Sequence, residues 1–356
     1  METSNVFRRI LEVHSIVEDL SLRLGVLGEK WLEASLIKPK FFEFKPIELF
    51  ALSERLKLAE PSFSASSNGN GEADIANYVE FLHKARALKI RGSSGYVNSS
   101  NILHNDLPVS LHLCKSLLAL WIAHFDVKKI KNLTNVKKTC RRLIVHYSMK
   151  KLSDLLLNFN SGLFDEDLEK WNCIEYVDFS FNELIEIDNS ITVLQGVSKL
   201  NFSYNNLRDI GESLQYITTL AELCLTGNMI RELHNWNLKL GNIKKLFLCK
   251  NKITSVQGLE RLLSLEYLDL SDNIIAEPSC IQPIGKLPCL EHLVLRGNPI
   301  RQLIEYRTKV IESFDDRAAE VYLDGKRANQ RELDTISVRL ALKKIEKEKE
   351  EMQRHS

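Results

Sequence analysis

Leu265-Glu266-Tyr267-Leu268-Asp269-Leu270-Ser271-Asp272-Asn273-Ile274-Ile275 is the clearest line of a pattern, L-x-x-L-x-L-x-x-N-x-I, written six times between Trp171 and Ile300. The asparagines that close the copies are Asn182, Asn205, Asn228, Asn251, Asn273 and Asn298, at intervals of 23, 23, 23, 22 and 25 residues. A register held through six copies marks a repeat architecture, in which each unit buries its apolar face only against its neighbours.

The consensus is that of a leucine-rich repeat. The expected fold is therefore α/β: a solenoid whose short L-x-L strands stack into a parallel concave sheet with the leucines inward. The asparagine stands where the chain leaves the strand, and its amide can bond main chain above and below. Removing it, as in Asn228→Ala, should cost about 1–3 kcal/mol in unpaired backbone. Emptying a leucine position, as in Leu248→Ala, should cost roughly 2–5 kcal/mol. Ile253, Val256, Leu259 and Leu262, three residues apart, imply a short, tight return rather than a long helix.

Worn copies precede Trp171. Leu88-Lys89-Ile90, Leu120-Trp121-Ile122 and Leu143-Ile144-Val145 fit the strand core, with Ser93, Phe125 and Ser148 at the ladder position. Residues 76–170 thus read as divergent repeats and 171–300 as regular ones. Helical spacing of Val6, Phe7, Ile10, Val13, Val17, Leu20 and Leu24, and a second helix from Ile47 to Leu58 entered through Pro46, make residues 1–60 a helical amino-terminal cover. The Ser/Gly/Asn-rich run at 61–75 reads as a disordered loop. Residues 301–328 form a cap, with a helix at Tyr306 to Ile311 and a last strand at Val321 to Leu323. Residues 329–356 are a charged helix striped with Leu333, Ile336, Leu340 and Ile345.

Composition is that of an ordinary globular chain: 44% hydrophobic, 27% charged, net charge +1. No global field draws it to nucleic acid or an anionic membrane. The clusters Lys128-Lys129 and Lys137-Lys138 with Arg141-Arg142 read as a solvated edge. Seven cysteines without C-x-x-C spacing, and no signal-peptide pattern after Met1, point to a reducing, cytoplasmic setting. No catalytic, cofactor or metal motif is written, so neither enzyme activity, cofactor nor metal is expected. Function then falls to the residues between the leucines. Trp121 with Tyr176 forms one candidate binding cluster, and Phe247, Tyr267, His292 and Arg296 another, and Lys199 is a further concave-face candidate; aromatics and arginine dominate binding hot spots.

Stretches the repeat does not require carry a resemblance. Leu238-Lys239-Leu240-Gly241-Asn242-Ile243-Lys244, Gly285-Lys286-Leu287-Pro288-Cys289-Leu290-Glu291-His292 and Tyr306-Arg307-Thr308-Lys309-Val310 resemble nischarin, as do Arg317 to Val321, Glu332 to Thr335 and Phe44 to Ala51. The resemblance implies a cytosolic and endosomal scaffold whose protein partners are integrin α-subunit tails, Rac-family GTPases and protein kinases such as p21-activated kinase, restraining cell migration. The family's PX domain would precede these residues, so phosphoinositide binding is not expected of them. The repeat subclass also suits a regulatory subunit of a protein phosphatase, engaged through the concave face.

Overall fold

The computed structural model describes residues 15–20, 22–24, 40–58, 75–97, 103–157 and 170–354. The chain forms two compact units. One comprises Met1–Glu183 with Asp188–Val197, the other Leu184–Ile187 with Ser198–Ser356.

In the first unit five parallel strands lie in the order β1 (Phe42–Phe44), β2 (Ala87–Arg91), β4 (Ala119–Ala123), β6 (Arg142–His146) and β7 (Tyr176–Asp178). A separate parallel pair joins β3 (Val109–Ser110) to β5 (Ile130–Lys131). The second unit continues the repeat with β8 (Lys199–Asn201), β9 (Glu222–Cys224), β10 (Lys245–Phe247), β11 (Tyr267–Asp269), β12 (His292–Val294) and β13 (Tyr322–Leu323), each parallel to the next. The fold is a leucine-rich repeat α/β solenoid.

Each regular strand is three residues long because only the x-L-x core is extended before the chain turns. Leu223, Leu246, Leu268 and Leu293 are fully buried on the inner face, and Leu225, Leu248, Leu270 and Leu295 follow them into the core. Ile253, Val256, Leu259, Leu262 and Leu265 fill the return behind, where the backbone runs in short turns. Burying a side chain of this size contributes about 1.5–3 kcal/mol, and stacking is what makes that burial available.

The asparagines close the corners in one way throughout the second unit. Asn228 Oδ1 accepts the Leu207 N–H at 3.0 Å, while its Nδ2 donates to Phe202 O (3.0 Å) and Leu225 O (2.9 Å). Asn251, Asn273 and Asn298 repeat those bonds one copy further on. Asn205 accepts Leu184 N–H and donates to Phe202 O. In the first unit Asn182 Oδ1 takes two donors, Ser148 N–H (2.9 Å) and Met149 N–H (3.2 Å). Ser148 stands in for the missing amide one copy earlier, its hydroxyl accepting Phe125 N–H and donating to His146 O. Asn105, between β2 and β4, bridges Ser93 N–H and His124 O.

One residue before each ladder position from Phe125 to Asn298, and again at Asp324 in the cap, the backbone turns left-handed. His124, Tyr147, Phe181, Tyr204, Lys250, Asp272 and Asp324 all have φ between 53° and 55°, and Gly227 and Gly297 fill the same corner.

The structure corrects several expectations. Phe42-Glu43-Phe44 is not part of a helical cover: it alternates buried, exposed, buried and pairs with β2, so the sheet begins 46 residues ahead of Leu88. The helix entered at Pro46 runs to Leu58, and the described part of the first helix buries Val17 and Leu20. Most of the expected loop lies outside the described residues, but its last position, Ile75, opens a helix ending at Lys84. Lys137 is not on a solvated edge; it is buried and Nζ donates to Leu156 O at 3.1 Å. The final helix, Gln330–Arg354, buries Ile336 but leaves Ile345 half exposed, because its hold on the cap is polar beyond that point. Arg339 pairs with Glu305 and Glu312, and Lys343 reaches Glu312.

The cap itself is tied by charge. Tyr306 donates to Asp324 Oδ2 at 3.0 Å, and Arg307 pairs with Glu332 at 2.8 Å while donating to Leu323 O. No helix among the described residues is long and apolar enough to cross a membrane.

Candidate protein-binding face

Strand geometry sets which side chains leave the core. With leucines inward at alternate positions, the flanking x residues stand on the opposite face. Register then aligns them into rows. Lys199, Glu222, Lys245, Tyr267, His292 and Tyr322 form one row, and Asn201, Cys224, Phe247, Asp269 and Val294 the next.

In the second unit the structure brings Phe247, Tyr267 and His292 together. Ring centroids are 5.2 Å apart for Phe247–Tyr267 and 5.8 Å for Tyr267–His292. Tyr322, which the sequence reading missed, extends the series by stacking on His292 at 4.7 Å, and the Arg327 guanidinium lies 4.6 Å over the Tyr322 ring. All four rings are half-buried. Arg296 is exposed and donates from Nη2 to Asp324 O at 2.8 Å. Lys199 stands apart, four strands from His292, and its charge is matched by Glu222 at 3.0 Å. Burial, and next the charge of Asp269, push the Tyr267 hydroxyl above its ordinary value.

In the first unit the expected pairing of Trp121 with Tyr176 does not form. Register sets Trp121 against Ile144 and Asp178, and Tyr176 against Arg142 and Ala119, so the two stand in different rows two strands apart. Trp121 instead packs edge-on against Phe41 (5.7 Å) and His146 (5.9 Å), with the Lys89 ammonium 4.2 Å over its ring. Tyr176 lies under the Arg142 guanidinium and donates to Asp178 Oδ2. A further row of rings occupies the left-handed corners. His124 and Tyr147 stack at 4.6 Å, 2° from parallel, and Tyr147 and Phe181 at 5.6 Å. Their position one residue ahead of Phe125, Ser148 and Asn182 is the signal that could have found them.

His146 Nε2 meets both Asp178 Oδ1 (3.3 Å) and Ser180 Oγ (3.2 Å). Serine, histidine and aspartate here do not make a nucleophilic triad, which needs the carboxylate and the hydroxyl on opposite ring nitrogens. Burial would raise the Asp178 carboxyl, but hydrogen bonds from His146 and Ser180 and the His146 charge outweigh it and hold it at about 2. All seven cysteines are free. Cys224 lies beside Phe247 in register, not beside Cys249, and its Sγ is 2.9 Å from Ser203 Oγ. Burial pushes the thiols of Cys114 and Cys140 up to about 12, which makes them inert core residues. No group of three or more His, Cys, Asp or Glu side chains among the described residues could hold a metal ion.

No family model matches the chain. Serine/threonine-protein kinase 11-interacting protein of Mus musculus is 33% identical over 234 residues, covering 65% of this chain and 22% of its own length. The protein of that name from Homo sapiens is 27% identical over 223 residues, covering 62% of this chain and 20% of itself. The chain thus spans about a fifth of the length of these relatives. Dynein axonemal assembly factor 1 of Peromyscus leucopus matches over 69 residues at 35% identity, covering 17% of this chain and 11% of that protein. Among solved structures, internalin C2 of Listeria monocytogenes aligns at TM-score 0.42 and 18% identity over 61% of this chain and 83% of its own. Over about two thirds of its length the chain is thus similar to serine/threonine-protein kinase 11-interacting proteins.

Proposed function

We propose that this chain is a non-enzymatic scaffold that binds a serine/threonine protein kinase through the open sheet face of its second unit. The contiguous aromatic series of Tyr267, His292 and Tyr322 in one row, with Phe247 packed on Tyr267 from the next, carries the reading. Four adjacent half-buried rings are more than a sheet's outer face needs for stability, and large rings of this kind anchor protein interfaces. The choice of partner class rests on the name of the relatives, serine/threonine-protein kinase 11-interacting protein. Capture of that kinase by the purified full chain, compared with Phe247→Ala/Tyr267→Ala, tests both parts. Loss of two ring anchors should weaken capture by roughly 30-fold or more. Equal capture by both proteins removes the site, and no capture by either removes the partner.

A second reading is favoured by the nischarin-like stretches around Lys239 and Tyr306. In it the same face serves an integrin α-subunit tail, a Rac-family GTPase or p21-activated kinase, and the chain works in the cytoplasm and at endosomes. Parallel capture with active Rac and an integrin α tail separates the two. A phosphatase catalytic subunit copurifying with the chain would instead favour the regulatory-subunit reading.

A further inference from the structure

The strongest unexplained feature is a hollow of about 410 Å³ beside the aromatic row. It is lined by Tyr267, His292 and Tyr322, by Asp269 at the end of β11, and by Asp272 and Arg296 just beyond the strands. We propose that this hollow receives an arginine side chain from an extended, otherwise uncharged segment of the partner protein. The proposal rests on the row being a docking face and names what that face holds.

Charge selects the occupant. Asp324 also borders the hollow, but its carboxylate is already used: Oδ1 accepts Leu295 N–H at 2.9 Å, and Oδ2 accepts Tyr306 and faces Arg301 at 3.7 Å. Arg296 is turned aside onto Asp324 O. Asp269 and Asp272 keep acceptors in reserve. Asp269 Oδ1 holds Ser271 N–H (2.9 Å) and the Ser271 hydroxyl (2.6 Å), while Oδ2 accepts no bond from any described residue. Asp272 is exposed and carries only a 3.8 Å contact from Cys249 Sγ. Tyr322 already stacks on His292 and carries the Arg327 guanidinium, so the ring offered to a newcomer is that of Tyr267, and two carboxylates with spare lone pairs beside it ask for a cation that is flat and weakly hydrated. A guanidinium lies flat on a ring and forks to carboxylates in the same plane; an ammonium can sit over a ring but is a compact, strongly hydrated point charge without the fork.

The surroundings limit how much positive charge is wanted. Lys245 is the register neighbour of Tyr267, and Lys250 N–H bonds Ser271 O, so two lysines flank the β10 side. Neither forms an ion pair with Asp269 or Asp272 among the described residues. A run of basic residues would meet them; a single arginine between neutral residues would not. An acidic or phosphorylated segment would face both aspartates.

The fit can be read without knowing the partner. The probe is a synthetic five-residue peptide, acetyl-Ser-Gly-Arg-Gly-Ser-amide, titrated into the full chain with the ring resonances of Tyr267, His292 and Tyr322 followed by NMR. Companion peptides carry citrulline, lysine or phosphoserine at the centre. The arginine peptide should move these rings saturably, and citrulline, which keeps the shape and loses the charge, should not. Asp269→Asn/Asp272→Asn should weaken the arginine response roughly tenfold, as expected for one half-exposed and one exposed charge contact. Both substitutions suit the fold: asparagine keeps the Oδ1 that Ser271 uses, and it tolerates the left-handed backbone of Asp272. Citrulline or phosphoserine binding as well as arginine, an undiminished double variant, or rings that do not move would each overturn the proposal. It fails separately from the kinase reading. A kinase that is not captured leaves the ring shifts in place, and a hollow indifferent to arginine leaves kinase capture in place.

Discussion

Replacing a ladder asparagine should cost different amounts at different copies, and the bonds say how much. In Asn251→Ala the carbonyls of Leu225 and Leu248 each keep a second amide, from Asn228 and Asn273. The group left stranded is Ile230 N–H, whose 3.1 Å bond to Asn251 Oδ1 has no substitute. One buried, unpaired donor costs about 1–3 kcal/mol. Asn182→Ala strands two such donors, Ser148 N–H and Met149 N–H, because the preceding copy offers a serine hydroxyl where an amide would otherwise stand. Its cost should be about twice as large, roughly 2–6 kcal/mol. Urea unfolding gives the totals, and amide hydrogen exchange assigns them: Ile230 should exchange faster in the first variant, Ser148 and Met149 in the second. Equal costs, or a larger cost at Asn251, would refute the reasoning that orphaned donors rather than lost bonds set the penalty.

Two further outcomes follow from close approach and from charge. In Gly285→Ala the new Cβ would sit 1.8 Å from Ser313 O, a backbone atom, so the cap must shift at a cost of about 1–3 kcal/mol. Gly241→Ala, with open space around it and only a φ of +41° to resist, should cost about 1 kcal/mol; a melt that ranks the two the other way would contradict the packing described. Asp178, depressed to about 2, lends stability that is present above the ordinary carboxylate range and lost as pH falls from about 4 through 2. Discounted for its partial exposure, the loss is about 1–2 kcal/mol; in Asp178→Asn that part of the acid-unfolding curve should flatten, and an unchanged curve would count against the His146–Asp178 pairing.

The sequence was legible where side-chain chemistry and spacing say the same thing. Leucines and asparagines recur because each copy needs the same inward groups, so strands, ladder and cap could be read from Leu265 outward. It was less legible where backbone decides. The left-handed corners hold histidine, tyrosine, phenylalanine, lysine, aspartate or glycine indifferently, so no residue type announces them, and the stacked rings of His124, Tyr147 and Phe181 went unseen. Trp121 and Tyr176 were grouped because both are aromatic, yet one lies between the two core residues of its strand and the other before them, which separates their rows. Tyr322 was missed because the last strand breaks the period. Lys137 was misread because its charge suggests solvent, while its ammonium bonds a carbonyl inside the fold.

Strand β1 has a practical consequence. It covers the flank of β2, whose Leu88 and Ile90 are fully buried, and Glu43 anchors it there through Lys89 at 2.9 Å. A shortened chain that starts after Phe44 would bare that flank as a row of unpaired backbone groups beside an apolar strand, the kind of edge along which chains recruit one another. Boundaries chosen at the visible repeats, near Leu88 or Trp171, would therefore be expected to yield sticky fragments, and one that also keeps the helical segment holding Val17, Leu20 and Arg23 against this strand a well-behaved one.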